Sequence, residues 1–195
     1  MRAYECDTPA LLVDMDILER NIRRMADYFR GKKAKLRPHV KVHKSPFFAH
    51  KQITAGANGI TCAKLSEAEV MANAGIRDIL IANEIVGEEK VRKLAGLAKH
   101  SNIAVCVDDA DNAKQISIAA SRENVKLGLL VELNLGVGLD GILDRCGVLP
   151  GKPAVELARE LAHLKNIEFR GLMGYEGSLR KFPDFESRKA AANNA

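Results

Sequence analysis

A regular alternation of short apolar segments with longer amphipathic ones constrains the fold of this chain more than any other feature. Apolar runs typical of strands occupy residues 60–63, 78–82, 103–107, 126–133 and 169–174, and helical patterns separate them. Strands that are apolar along nearly their whole length are typical of a parallel sheet covered by helices. The alternation therefore predicts an α/β fold, and the strand count alone leaves both a doubly wound sheet and a barrel open.

The first part of the chain adds two predicted strands, at residues 8–14 and 37–42. Between them, Asp16 and Glu19 have the spacing of a capping box and predict a helix from about Ile17 to Phe29. Further helices are predicted over 46–55, 66–75 (with Ser66 and Glu69 as a second capping box), 88–99, 110–121, 153–164 and 186–195, the last capped by Asp184.

Composition excludes several classes of protein. The 195 residues are 47% hydrophobic and 28% charged, which suits one soluble domain spanning residues 1–195. The net charge is +5, but the lysines and arginines are interspersed with acidic residues along the chain, and only 5% of the residues are aromatic. No nucleic-acid partner is therefore expected. The four cysteines are widely spaced, so neither a zinc site nor a disulfide framework is indicated, and Cys62 and Cys106, which lie within apolar runs, are expected to be buried thiols of a reducing compartment. Without an apolar signal or a membrane-spanning run, we expect a cytoplasmic protein with no membrane contact.

Lys41 is the first candidate for chemistry. The two-residue period of a strand at 37–42 would place His39, Lys41 and His43 on one face. A lysine that is buried there would have a lowered pKa, and its amine could form a Schiff base with an aldehyde. The alternative is an exposed lysine on an edge strand between ordinary surface histidines, and the spacing alone leaves both interpretations open. The histidines would need a carboxylate from elsewhere to bind a metal ion, so no metal site is predicted.

The carboxyl ends of parallel strands hold the other candidates, because functional residues of α/β folds gather there. Asn134 ends the strand at 126–133, with Arg145 following, and Tyr175 ends the strand at 169–174. Two interpretations stay open both for Arg145 and for Tyr175. Arg145 either belongs to a site, because its small neighbours would let a ligand approach, or is a loop cation without a partner. Tyr175 either belongs to a site as well or is a core tyrosine. Residues 136–141 match Gly-x-Gly-x-x-Gly, but no amphipathic helix follows at once, so dinucleotide binding is not favoured.

Five motifs in the correct order carry a resemblance to a known family. They are Thr-Pro-Ala-Leu-Leu-Val-Asp at 8–14, Arg-Pro-His-Val-Lys-Val-His-Lys at 37–44, Ile-Ala-Asn-Glu-Ile-Val-Gly at 81–87, Asp-Arg-Cys-Gly-Val at 144–148 and Gly-Leu-Met-Gly-Tyr-Glu-Gly at 171–177. Together they resemble the D-threonine aldolase and D-serine dehydratase family. Its members are pyridoxal phosphate enzymes with an alanine racemase type of barrel.

The resemblance assigns roles to particular residues. Lys41, rather than Lys44 or Lys64, matches the lysine that holds the cofactor covalently. Arg145 matches an arginine on the phenolic oxygen side of the pyridoxal ring, and Tyr175 matches a tyrosine lining the cofactor pocket. With these we group His39 and Asn134 as expected cofactor contacts. Asn134 stands where the family has an acid, and residues 137–143 resemble an insertion, so this end of the expected site departs from the family pattern.

The resemblance also implies a function and an architecture. The expected reaction is cleavage of a D-3-hydroxy amino acid, by retro-aldol cleavage or by β-elimination of water, on a TIM-type (β/α)8 barrel. The chain would supply about six of the eight barrel strands and lack the C-terminal β-domain, where metal-dependent members bind a divalent ion, so residues 1–195 alone should be a poor catalyst. The longer protein is expected to be a homodimer. The alternatives are an amino acid racemase on the same barrel and a pyridoxal phosphate-binding protein without turnover.

Overall fold

A computed structural model describes residues 2–135 and 146–193. One sheet of five parallel strands has the order β1-β2-β3-β4-β5. The strands are β1 (Ile60–Cys62), β2 (Asp78–Glu84), β3 (Asn102–Val107), β4 (Leu127–Leu133) and β5 (Ile167–Gly174). The helices are α1 (Met15–Phe29), α2 (Pro46–Thr54), α3 (Leu65–Asn73), α4 (Glu88–Leu97), α5 (Ala110–Arg122), α6 (Lys152–His163) and α7 (Phe185–Asn193). The predicted α/β class and these five strands are confirmed.

The main core lies between the sheet and the helices that connect its strands. Ile81 pairs with Val105 and Val105 with Leu129, so the three side chains stand side by side on one face, and all are fully buried. Leu94 of α4 and Leu161 of α6 belong to the same buried cluster. Burying one such side chain contributes about 1.5–3 kcal/mol. The strands follow one another in chain order, without the reversal that defines a doubly wound sheet, and this favours a barrel.

The strand predicted at residues 8–14 is absent from the structure, and that prediction is wrong. These residues have no ladder partner within the described ranges, and the Leu11 side chain is 94% exposed. The predicted capping box at Asp16 is wrong as well. The Asp14 carboxylate accepts a hydrogen bond from the Ile17 N–H at 3.0 Å, so α1 begins at Met15.

The strand predicted at 37–42 is also wrong. Only His39 forms a parallel bridge, to Thr61, and Val40–Val42 then form a 3-10 turn. The apolar residues of that segment differ sharply in burial: Val40 is fully buried and Val42 is 84% exposed. We call residues 39–44 the Lys41 turn. The described sheet therefore has five strands rather than the six expected for the barrel.

Most predicted helices are confirmed within a few residues, but the capping box at Ser66 is wrong. Lys64 precedes α3 and provides no side-chain cap. Instead, the Glu67 carboxylate accepts a hydrogen bond from the Ala63 N–H at 2.8 Å. The Asp184 cap of α7 is confirmed by a 2.8 Å hydrogen bond from the Ser187 N–H. No helix within the described ranges is long and apolar enough to cross a lipid bilayer.

Candidate cofactor site

The Lys41 turn presents its lysine from a backbone that is anchored by one buried residue. The carbonyl of Val40 accepts hydrogen bonds from the N–H groups of His43, at 3.1 Å, and Lys44, at 2.7 Å. At the start of the turn, Nδ1 of His39 accepts a bond from the Lys41 N–H at 3.3 Å. Lys41 itself is exposed. Of the two interpretations that the sequence left open, the structure shows the exposed lysine, but on a turn rather than on an edge strand.

The two histidines beside Lys41 are neutral supports of the turn. Nδ1 of His43 accepts a hydrogen bond from the Ser45 N–H at 3.0 Å, as Nδ1 of His39 does from Lys41. A ring nitrogen that accepts such a bond carries no proton, so the single proton lies on Nε2. Burial lowers the pKa of both rings, and the positive charge of Lys41 lowers that of His39 further. The predicted arrangement of both rings and Lys41 on one strand face is wrong, because the segment is a turn.

Tyr175 directly follows β5 and meets Lys41 across the sheet. The Nζ atom of Lys41 lies 5.8 Å from the centroid of the Tyr175 ring. The ring also lies close against Gly177, where an added Cβ would overlap it. The structure thus brings together two of the residues predicted for the site, although they are far apart in sequence.

This contact requires a strongly curved sheet. His39 pairs with Thr61 of β1 and so occupies the position of one further strand beyond that edge of the sheet. Tyr175 follows β5 at the opposite edge. In a flat sheet, five strand spacings would separate the two segments by about 24 Å. Two side chains cannot span that distance and still lie in contact. The carboxyl ends of the first and last described strands therefore approach each other as they do around the mouth of a barrel.

Asn134 lies at the end of β4, where a short segment from farther along the chain is attached. Its N–H donates to the Val148 carbonyl at 2.9 Å, and the Val148 N–H donates to the Glu132 carbonyl at 3.0 Å. The Gly147 N–H donates to Oδ2 of Asp108 at 2.9 Å. Asp108 was not among the predicted site residues, although its place directly after β3 could have indicated it. Arg145 lies outside the described residues, so its place in the site stays a prediction.

The face of β3 and β4 opposite to Val105 and Leu129 carries one buried acid, Glu132, together with Cys106. Glu132 is only 2% exposed, and Cys106 is fully buried. Burial is the main cause that raises the pKa of the Cys106 thiol, and the neighbouring Glu132 and Glu84 carboxylates raise it further. Sequence reasoning missed Glu132, although an acid within an apolar strand was the available signal. Cys62 is buried too, which raises its pKa to about 12, so the prediction of buried thiols is confirmed for both.

Among the residues that the structure describes, no three histidine, cysteine, aspartate or glutamate side chains are grouped so that they could hold a metal ion. His39 and His43 instead use their Nδ1 atoms to accept backbone hydrogen bonds.

Comparison with known proteins relates this chain to one family. The family model described as alanine racemase, N-terminal domain, matches residues 13–194. The 3-hydroxy-D-aspartate aldolase of Paracoccus denitrificans (strain Pd 1222) is 39% identical over 197 residues, covering 100% of this chain and 49% of that protein. The D-threo-3-hydroxyaspartate dehydratase of Delftia sp. (strain HT23) is 32% identical over 186 residues, covering 95% of this chain and 48% of that protein.

A solved structure is similar over almost the whole chain. The crystal structure of D-threonine aldolase from Filomicrobium marinum has a TM-score of 0.91 and 44% identity, covering 96% of this chain and 49% of that one. The resemblance inferred from the five motifs and the predicted barrel type are thereby confirmed. The chain spans about half the length of the proteins that it matches.

Proposed function

Since this chain belongs to the alanine racemase N-terminal domain family, we propose that it carries the lysine of a pyridoxal phosphate-dependent lyase. The substrate class is a D-amino acid with a hydroxyl group on Cβ. The single observation that carries the proposal is the exposed Lys41 amine, 5.8 Å from the Tyr175 ring at the carboxyl edge of the sheet. The names of the matched relatives, two aldolases and one dehydratase of such amino acids, support the substrate class.

The residues at this edge fit the proposed cofactor. An aldehyde needs an accessible amine, and Lys41 offers one on a turn that is hydrogen-bonded at both ends. The flat aromatic ring of the cofactor needs an apolar surface to pack against, and the Tyr175 ring offers one beside the Lys41 amine. Asn134, which directly follows β4, and Arg145, whose place stays a prediction, complete the proposed set of contacts. When bound, pyridoxal phosphate supplies an electron sink for the charge that develops at Cα of the substrate.

The protein groups orient the substrate and move protons. With pyridoxal phosphate bound, Lys41 would be the residue that holds its aldehyde, and as a free amine Lys41 would hold a proton beside the reacting carbon of the substrate. The Tyr175 ring, which lies beside the Lys41 amine, would limit the movement of the substrate there. Two outcomes fit these roles: breakage of the Cα–Cβ bond, which yields glycine and an aldehyde, and loss of the β-hydroxyl as water. Both remain within the proposal, since the related proteins include both kinds of enzyme. In the proposed assembly, the full-length protein is a homodimer.

The test is to label the full-length protein with pyridoxal phosphate, reduce it with borohydride and map the modified peptide. We expect the label on Lys41 and its loss in Lys41→Ala, with Lys64→Ala as the matched control. Label on Lys64 with none on Lys41 would overturn the assignment. Turnover of D-threonine, D-3-hydroxyaspartate and D-serine is then compared with racemisation of L-alanine. Racemisation without cleavage or elimination would replace the lyase by the racemase alternative, and labelling without any turnover would favour the binding protein.

A further inference from the structure

Glu67 is a buried carboxylate that the proposed function leaves without a role. It lies in the first turn of α3 and is 9% exposed. Its Oε2 atom accepts the hydrogen bond from the Ala63 N–H at 2.8 Å, and its Oε1 atom lies 3.7 Å from Nζ of Lys44. Burying a carboxylate is costly unless it is paired and hydrogen-bonded. The two oxygens therefore join the segment after β1 to the end of the Lys41 turn.

Lys44 closes the Lys41 turn in an unusual backbone conformation. Its φ angle is +51°, in the left-handed region that residues other than glycine rarely adopt. The N–H of Lys44 donates to the Val40 carbonyl at 2.7 Å, which defines the end of the turn. A conformation of this kind costs free energy and persists only when its surroundings stabilise it. The ion pair with Glu67 is such a stabilising contact from outside the turn.

The beginning of the turn is attached to the same part of the protein. The Thr61 N–H donates to the Pro38 carbonyl at 2.8 Å, and His39 forms the bridge to Thr61. Backbone bonds therefore hold the beginning of the turn to β1, while a side-chain pair holds its end to α3. Lys41 lies between these two attachments. Of the two, only the second depends on side-chain charge, so substitution can remove it selectively.

We propose that Glu67 is a positioning residue for Lys41. Through Lys44 it fixes the end of the turn, and it thereby keeps the Lys41 amine directed toward the face of Tyr175. This inference rests on the proposed function only insofar as Lys41 is the lysine that captures the cofactor. The pair is partly exposed, since the Lys44 side chain is 66% accessible, so its effect on global stability is small. Its main effect is on placement of the turn.

Three substitutions and one control separate the charge from the other contacts of Glu67. Glu67→Gln keeps an oxygen that can accept the Ala63 bond but removes the negative charge. Lys44→Met removes the positive charge, whereas Lys44→Arg retains it, and Lys64→Met is the control on a neighbouring exposed lysine. We expect Glu67→Gln and Lys44→Met each to lower pyridoxal phosphate affinity by about two- to fivefold. Because both break one pair, the double variant should lose little more than either alone. Lys44→Arg and Lys64→Met should resemble the wild type.

The readout that does not depend on the cofactor is hydrogen–deuterium exchange of the full-length protein without added ligand. The amides of His43 and Lys44 should exchange faster in Glu67→Gln and Lys44→Met, while those of β2 and β3 keep wild-type rates. Wild-type exchange at these two amides in both variants would overturn the inference. Should Glu67→Gln fail to fold, the comparison of Lys44→Met with Lys44→Arg decides, because that side chain is exposed. Failure of the wild type to be labelled at Lys41 would refute the proposed function, and the exchange result would still decide whether Glu67 holds the turn.

Discussion

The backbone N–H of Gly147 donates a 2.9 Å hydrogen bond to Oδ2 of Asp108, a residue 39 positions earlier in the chain. This contact joins the segment that follows Arg145 to the carboxyl end of β3, and the bridge between Leu133 and Val148 joins it to β4. Both attachments lie at the edge of the sheet where Lys41 meets Tyr175. A segment that is predicted to belong to the cofactor site is thus held in place by two neighbouring strands.

Replacement of Gly147 tests how closely this segment must approach β4. Its φ angle is +111°, and an added Cβ would lie 2.6 Å from the amide nitrogen of Asn134. Gly147→Ala is therefore expected to destabilise the protein by about 1–3 kcal/mol, measured by urea denaturation. Gly151→Ala is the control, because Gly151 has a φ of +91° and no atom within 4 Å of an added Cβ. Equal losses in the two variants would mean that backbone strain alone, without a collision at Asn134, accounts for the effect.

Replacement of Tyr175 tests whether its ring contributes to cofactor capture. The side chain is 46% exposed, so its removal should leave the fold intact. We expect Tyr175→Ala to weaken pyridoxal phosphate binding by about two- to tenfold, the range for loss of an aromatic contact. Tyr175→Phe keeps the ring and most of the affinity. Titration followed by absorbance measures both variants, and an unchanged affinity in Tyr175→Ala would remove Tyr175 from the proposed site.

The two histidines of the Lys41 turn predict a loss of stability in acid. Burial holds the pKa of both His39 and His43 below the ordinary value of 6.5. Between that value and the lower pKa of the folded state, the unfolded chain binds more protons, so the free energy of unfolding falls as the pH is lowered through this window. Protonation of Nδ1 also removes the acceptor for the Lys41 and Ser45 amides.

Urea denaturation at pH 7.5 and at pH 5.5 measures this dependence. A double variant, His39→Asn with His43→Asn, keeps side-chain oxygens that can accept hydrogen bonds but do not titrate, so the difference between the two pH values should shrink. His163→Asn, at the exposed end of α6, is the control and should retain the wild-type difference. A double variant with the full wild-type difference would assign the pH dependence to other groups.

Two aspartates at the start of α1 test the position of its cap. Asp14→Ala removes the acceptor of the Ile17 N–H and is expected to lower the free energy of unfolding by about 1 kcal/mol. Asp16→Ala removes a charge within the first turn and should cost less, since only the interaction with the helix dipole is lost. Thermal denaturation compares the two. A larger loss in Asp16→Ala would restore the capping box that the sequence suggests.

Local pattern by itself determined the alternation of strands and helices. β1 to β5 and most helices were predictable because continuous apolar runs and amphipathic stripes, which reflect burial against a sheet, are patterns among residues close in sequence. The same logic located Asn134 and Tyr175 directly after strands, whereas Lys41 lies on a turn rather than at the end of the predicted strand. The five motifs added the family, and with it the roles expected of these residues.

Tertiary structure decided the conformation of segments whose pattern was ambiguous, and the contacts of residues whose partners are distant in sequence. Residues 8–14 and 40–42 are apolar enough for strands, yet a strand forms only where a neighbour offers ladder hydrogen bonds. In 39–44, the side chain of His39 and the carbonyl of Val40 satisfy the backbone locally, so a turn forms instead.

The contacts that build the candidate site depend on the three-dimensional fold alone. Lys41 meets Tyr175 because the sheet curves, Asp108 meets Gly147 because two strand ends are adjacent, and Glu67 meets Lys44 because α3 begins beside the turn. None of these pairs has a spacing that a helical or strand period would reveal. The sequence determined which segments could be buried, and the curvature and order of the strands determined which polar side chains meet at their ends.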